Sequence, residues 1–217
     1  MVFPMAVIGF PGQSTRETHR AETHRGLVLV RVLDIVAKAV LLVLLILVAI
    51  NPEWGNLEGK APVARAVIYP MFAFVVPAIW WAFLRTRRPY PWAADLLATL
   101  ACFSDILGNR LDLYDALTWF DDWMHFMDTG VVSAAVVILT LDHTATRAAV
   151  VERAIAAGLT GSLAWELFEY VSFVTRSVEL NWAYADTLGD LTLGWLGSVV
   201  AALLIHATWQ TFEQPPT

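Results

Sequence analysis

Six apolar stretches separated by short polar turns run along the chain. They cover about Leu27–Ile50, Val63–Leu84, Trp92–Leu107, Trp119–Leu141, Ala149–Val174 and Ala185–Trp209. A helix needs roughly 20 apolar residues to cross the hydrocarbon of a bilayer, and only the third stretch falls short of that. The segments between them, NPEWGNLEGKAP, RTRRPYP, GNRLDLYDALT, DHTATR and TRSVELNWAY, carry the Gly, Pro, Asn and Asp that make turns. The pattern predicts an all-α fold, a bundle of about six transmembrane helices forming one domain over residues 27–209. An N-terminal tail, 1–26, and a C-terminal tail, 210–217, flank it. Pro70 and Pro77 should bend the second helix, which a membrane helix tolerates when neighbours satisfy the freed carbonyls. Trp80 and Trp81 near its end suit an interfacial belt.

Composition agrees with the pattern. The chain has 217 residues, 58% of them hydrophobic and 16% charged, with a mean hydropathy of +0.58. A soluble domain of this length needs more polar surface. The formal net charge of −6 and the lack of a basic cluster beyond Arg85, Arg87 and Arg88 argue against a nucleic-acid partner. The one cysteine, Cys102, rules out an intrachain disulfide. The N-terminal MVFPMAVIGFPG is short, broken by Pro4 and Pro11, and has no basic start, so a cleaved signal peptide is not expected. The following QSTRETHRAETHRG has mixed charge, and its His19 and His24 read as exposed surface histidines.

Positive charge orients the bundle. Six crossings put both termini on one side. That side holds Arg16, Arg20, Arg25, Arg85, Arg87, Arg88 and Arg147, with Arg31 and Arg153 just inside helix ends. The other holds Lys60, Arg110 and Arg176, with Arg65 nearby. Nine against four places the termini in the cytoplasm by the positive-inside rule.

Ionisable groups within membrane segments are expensive, and their default reading is functional. The richest stretch is WFDDWMHFMDTG, residues 119–130, at the start of the fourth span. Asp121, His125 and Asp128 fall on one helix face, with Asp122 beside them. Asp105 ends the third span, followed by Asn109; Glu166 and Glu169 lie near the end of the fifth; Asp186 and Asp190 begin the sixth. With alternating direction, four helices bring acids to one level, roughly 3–14 Å below the outer boundary at a rise of about 1.5 Å per residue. Acids at helix ends also commonly mark the wet interface, and for Asp186 and Asp190 the first turn of a helix favours negative charge by itself. In the first span, Asp34 and Lys38 are four apart and can pair, with Lys38 expected to snorkel toward the nearer surface.

So many carboxylates cannot all sit ionised in a dry pocket without partners. A divalent cation, protonated acids, or an open vestibule paired with Arg110 or Arg176 would each resolve the conflict. The metal reading takes Asp122, His125, Glu166, Glu169, Asp186 and Asp190 as ligands, since pairs from facing helices are how bundle metal sites are built. One imidazole among many oxygens favours magnesium, manganese or calcium over zinc or iron. His125 or Asp128 would act as general base, and Asp105, Asn109 and Asp121 would complete the polar site. The small residues Ala154, Gly158, Gly161, Gly194, Gly197 and Ser198 predict close packing of the last two helices.

Asp105 to Asn109, FDDWMH at 120–125, ELFE at 166–169 and YADTLGDLTLG at 184–194 together resemble the YjdF-like family of small bacterial integral membrane proteins. They are more distantly similar to VanZ-like proteins, which are associated with teicoplanin resistance. The resemblance covers about Asp105 to Ser198 and implies a multi-pass protein of the bacterial cytoplasmic membrane; it carries no activity with it. Three functions remain open. One is a divalent-metal-dependent membrane enzyme acting on a lipid or lipid-linked substrate. Another is a proton- or cation-coupled transporter. The third is a non-catalytic protein that binds an envelope partner.

Overall fold

The computed structural model describes residues 11–213, which are helices and the turns between them, with no strand among them. The long elements are α1 (Pro11–Ile50), α2 (Pro62–Ala73), α3 (Val75–Ile79), α4 (Trp92–Arg110), α5 (Leu113–Ala116), α6 (Phe120–Thr140), α7 (Arg147–Ser172) and α8 (Ala183–Glu213). Helix α1 begins at Pro11, so the part of the expected N-terminal tail that is described is helical, and His24 within it is exposed. No proline follows Pro11 in 12–26 to break the helix. Helix α8 likewise runs past Trp209. Residues 1–10 and 214–217 lie outside the described residues, as does the side chain of His19.

Three helical segments are long and apolar enough to cross a membrane: His24–Ile50, Phe120–Thr140 and Ala183–Trp209. The pair Pro62–Ala73 and Val75–Leu84, bent by 42°, makes a fourth if it counts as one span. The expected number of about six is thus not reached by length and hydropathy alone. Helices α4 and α7 have the length, at 19 and 26 residues, but carry too many polar and charged positions to pass. The bend in the second span has the expected cause. Pro77 has no N–H to give the carbonyl of Ala73 and its ring crowds that carbonyl, and α2 stops at Ala73. The chain then closes with a wide turn over Trp80–Leu84, where the Arg85 N–H reaches back to the Trp80 carbonyl at 2.8 Å.

Helix α6 is the hub, packed against α4, α7 and α8, while α1 packs on α4 and α2. The α4–α6 contact therefore joins an α1–α2–α4 group to an α6–α7–α8 group. Small residues set the closest approaches, but not only between the last two helices. A Cβ on Gly197 would stand 1.9 Å from the Phe126 carbonyl oxygen, so α8 also comes close against the backbone of α6. Gly158 abuts Ser198 and Ser133, and the Ser133 hydroxyl donates to Ser198 at 3.0 Å. Gly161 packs against nothing: no atom lies within 4 Å of where its Cβ would be.

Lys38 does not snorkel. It is buried between α1 and α4, and its ammonium contacts Asp34 at 2.5 Å, Asp95 at 2.7 Å and the Thr99 hydroxyl at 2.8 Å. Arg31, one level up, already stacks over the Trp92 ring at 5.0 Å. Lys38 is seven residues farther along, about 10 Å deeper at helical rise. Two buried aspartates within reach outweigh the pull of the surface on a long side chain.

Two outcomes follow for stability. Lys38→Met leaves Asp34 and Asp95 without their counter-charge and should cost about 3–5 kcal/mol, read as a lower melting temperature in detergent; adding Asp34→Asn and Asp95→Asn should recover part of it. Gly197→Ala and Gly158→Ala should also lower the melting temperature. Gly161→Ala, with open space around it, should raise stability by up to about 1 kcal/mol through helix propensity.

Candidate functional site

A cavity of about 390 Å³ lies among α2, α4, α6 and α7, with Tyr114 and Asp115 of α5 and Asp186 of α8 also in its lining. Its size is in the range of small-ligand sites. Arg65 of α2 dominates one wall. It is 3% exposed, and its guanidinium donates to Asp105 at 2.8 Å, to the Tyr69 hydroxyl at 2.7 Å, to the Lys60 carbonyl at 3.0 Å and to Glu169 at 3.5 Å. Its plane also sits 5.1 Å from the Trp165 ring centroid. A buried arginine needs such complete pairing, because an uncompensated charge there costs several kcal/mol.

Asp105 is correspondingly saturated. Besides Arg65 it accepts from Tyr69 at 2.6 Å, from Tyr114 at 3.1 Å and from the Asn109 amide at 3.4 Å. Burial, followed by the nearby Asp105 charge, pushes the Tyr114 phenol well above its ordinary pKa, so it remains a neutral donor to that carboxylate. Asp105 and Asn109 therefore brace Arg65 and have little left to offer a ligand. The partners expected from sequence, Arg110 and Arg176, do other things: Arg110 stacks on Trp54 at 4.5 Å and Arg176 is exposed. Arg65 has both the right depth and the right face.

The second wall centres on His125, which is 7% exposed. Its Nε2 lies 3.7 Å from an Asp121 oxygen and 3.7 Å from an Asp190 oxygen. Its Nδ1 lies 3.6 Å from Glu166 Oε1. Glu166 Oε2 accepts from the Thr187 hydroxyl at 2.9 Å, whereas Oε1 is buried and has no hydrogen-bond partner. Two sets of three ligand atoms form, Asp121–His125–Asp190 and His125–Glu166–Glu169, each within 4.8 Å of one another. Distances of 3.6–3.7 Å are past hydrogen-bond reach. A neutral imidazole has one N–H and one lone pair, so it can answer carboxylates on only one of its two sides. A proton on one of the groups or a cation between them would each resolve that conflict.

The remaining candidates are placed differently. Asp122 is exposed and outside both sets; one residue round the helix from Asp121, it turns away from the cavity. Asp186 is exposed at the mouth, one turn before Asp190, and lines the cavity without joining either set. Asp128 lines the cavity on the α4 side and accepts from the Ser104 hydroxyl at 2.9 Å. Sequence reasoning did not single out Tyr69, Tyr114, Ser104 or Thr187, and used Arg65 only to count charge. Arg65 carried a usable signal, an arginine inside an apolar span followed four residues later by a tyrosine. The polar donors carried none, since Ser, Thr and Tyr are ordinary in such helices.

A family model described as "Predicted membrane protein (DUF2238)" matches residues 33–211. The chain belongs to the DUF2238 family. No curated protein matches it, and no solved structure does. The DUF2238 match takes in every candidate residue from Asp105 to Asp190, together with Arg65 and the buried Asp34–Lys38–Asp95 cluster.

Proposed function

We propose that this DUF2238 protein is a bacterial inner-membrane protein that binds a divalent cation at His125 and uses it on a lipid or lipid-linked substrate. The observation that carries the reading is the convergence of Asp121, Glu166, Glu169 and Asp190 on the two faces of His125, with a buried Glu166 oxygen that nothing else satisfies. Within DUF2238 we take the chain as YjdF-like on the motifs at 105–109, 120–125, 166–169 and 184–194. The bent α2–α3 pair, α4 and α7 join the three apolar spans as crossings, six in all, with both termini cytoplasmic and the cavity in the outer half. The 19 residues of α4 rise about 28 Å, close to the hydrocarbon thickness, and its polar face turns inward onto α1, α2 and α6.

The ligand set is carboxylate-rich with one imidazole, which favours magnesium, manganese or calcium. Such an ion would polarise an ester or phosphoryl oxygen for hydrolysis or group transfer. With His125 engaged as a ligand, Asp128 is the better general base: it lines the cavity, stands outside both ligand sets, and is oriented by Ser104.

One observation favours cation- or proton-coupled transport instead. Asp95, Thr99, Cys102, Asp105 and Asn109 form a buried polar stripe along α4, running from the Lys38 cluster to the cavity. Flux of protons or cations through vesicles holding the purified protein would support that reading.

The deciding measurement is elemental mass spectrometry of the detergent-purified protein. One bound divalent ion per chain is expected, lost in Glu166→Gln and in His125→Ala and retained in Asp122→Asn. Because the ligands must be deprotonated, occupancy should fall as pH is lowered. Absence of any ion at neutral pH in protein prepared without chelator would refute the metal reading.

A further inference from the structure

The cavity has two ends of opposite character. It runs along α6 from Asp121 to Val132 and along α7 from Glu169 back to Gly158, about 16 Å in each case at helical rise. Its polar end holds Arg65, Asp105 and His125. Its other end is lined mainly by Ile68, Phe72, Ala101, Val132 and Gly161, with the small hydroxyls of Thr129 and Ser162 the polar groups at that level.

Helices α2 and α7 face each other across this apolar end. Each packs on other helices, α2 on α1 and α4, α7 on α6 and α8. They meet at the polar end, through Arg65 with Glu169, Arg65 over Trp165, and the Tyr69 and Trp165 rings 6.0 Å apart. Beside these contacts, Ile68, one residue before Tyr69, and Gly161, one turn before Trp165, line the cavity and are both exposed. A wall residue that also faces outward marks an opening. Its rim is apolar: Val67 and Met71 on α2, Leu159 and Leu163 on α7 are exposed. At that depth the surroundings are hydrocarbon, so an opening there admits a lipid chain at no cost in desolvation, and a polar solute only at a high one.

We propose that the cavity is entered sideways from the bilayer, between α2 and α7, by the hydrocarbon chain of a membrane amphiphile whose oxygen-bearing head group lies at the polar end. Placement of the head group against an ion rests on the metal reading above; entry of the chain does not. Gly161 is the threshold. Its open surroundings leave room for a side chain that would block the gap without pressing on the fold.

The test uses the full chain in vesicles of phosphatidylethanolamine and phosphatidylglycerol containing a phosphatidylglycerol whose acyl chain ends in a diazirine. After illumination, adducts are mapped by peptide mass spectrometry. Cys102 and Val132 line the cavity, and Cys102 is buried; Val32 and Ile46 on α1 are exposed and report ordinary lipid contact. Adducts are expected at all four positions in the wild type. In Gly161→Trp, those at Cys102 and Val132 should be lost while those at Val32 and Ile46 remain. Ile68→Trp, on the opposite lip, should do the same and serves if the first variant fails to fold. Labelling confined to Val32 and Ile46 in the wild type, or cavity labelling unchanged in both variants, would overturn the proposal. Cavity labelling in a wild-type protein that holds no ion would overturn the metal reading and leave lateral entry standing.

Discussion

Arg65 is the constraint on which the rest of the structure depends. A guanidinium cannot be left unpaired away from water, and this one sits on a short helix that carries Pro70 and ends at Ala73, ahead of Pro77. It must find its partners on other helices, and it finds them in Asp105 on α4 and Glu169 on α7, with Tyr69 from its own helix bridging to Asp105. The contacts tie α2 to both helix groups at one end of the bundle. They also fix the shape of the cavity, because α2 and α7 are held across a gap by long side chains in place of direct backbone packing.

The two walls divide the acids by role. Asp105 is spent on Arg65, Tyr69 and Tyr114. Of those around His125, Glu169 shares the Arg65 guanidinium, whereas Glu166 keeps one oxygen without a hydrogen-bond partner. A polar group left unsatisfied in a buried site is costly, so the economy of the first wall makes the deficit of the second informative. At the far end of α4 the Lys38 ammonium likewise donates to Asp34 and to the Thr99 hydroxyl, and lies 2.7 Å from Asp95.

Close helix packing supplies the rigidity against which these charges are set. Gly197 brings α8 onto the α6 backbone at Phe126, within a residue of His125. Gly194 lies against Ser162, a turn from Glu166, and against Thr129, next to Asp128. These contacts leave α6 and α8 little freedom to slide, which fixes Asp190 relative to His125. Gly161, on the same helix as Gly158, takes no part, and the space it leaves is where the cavity meets the outside.

Much of this was readable in the chain. Apolar length and the polar turns determined an all-helical membrane protein, because a backbone in hydrocarbon must satisfy its own hydrogen bonds and local periodicity is enough to say where it does so. That His125, Glu166 and Asp190 stand at one level of the bundle followed from counting residues along alternating helices, since helical rise is fixed. Partnership did not follow. That the Asp121–His125 face is turned to the cavity while Asp122 is turned to the outside depends on the rotation of α6 about its axis, which packing against its neighbours decides. That Lys38 stays buried, and that Arg65 rather than Arg110 meets the acids, depends on which helices stand side by side. Spacing along one helix is a local property set by covalent geometry; the choice of neighbour across helices is set by the small-residue contacts and by the need to pair every buried charge at once, and only the tertiary structure decides it.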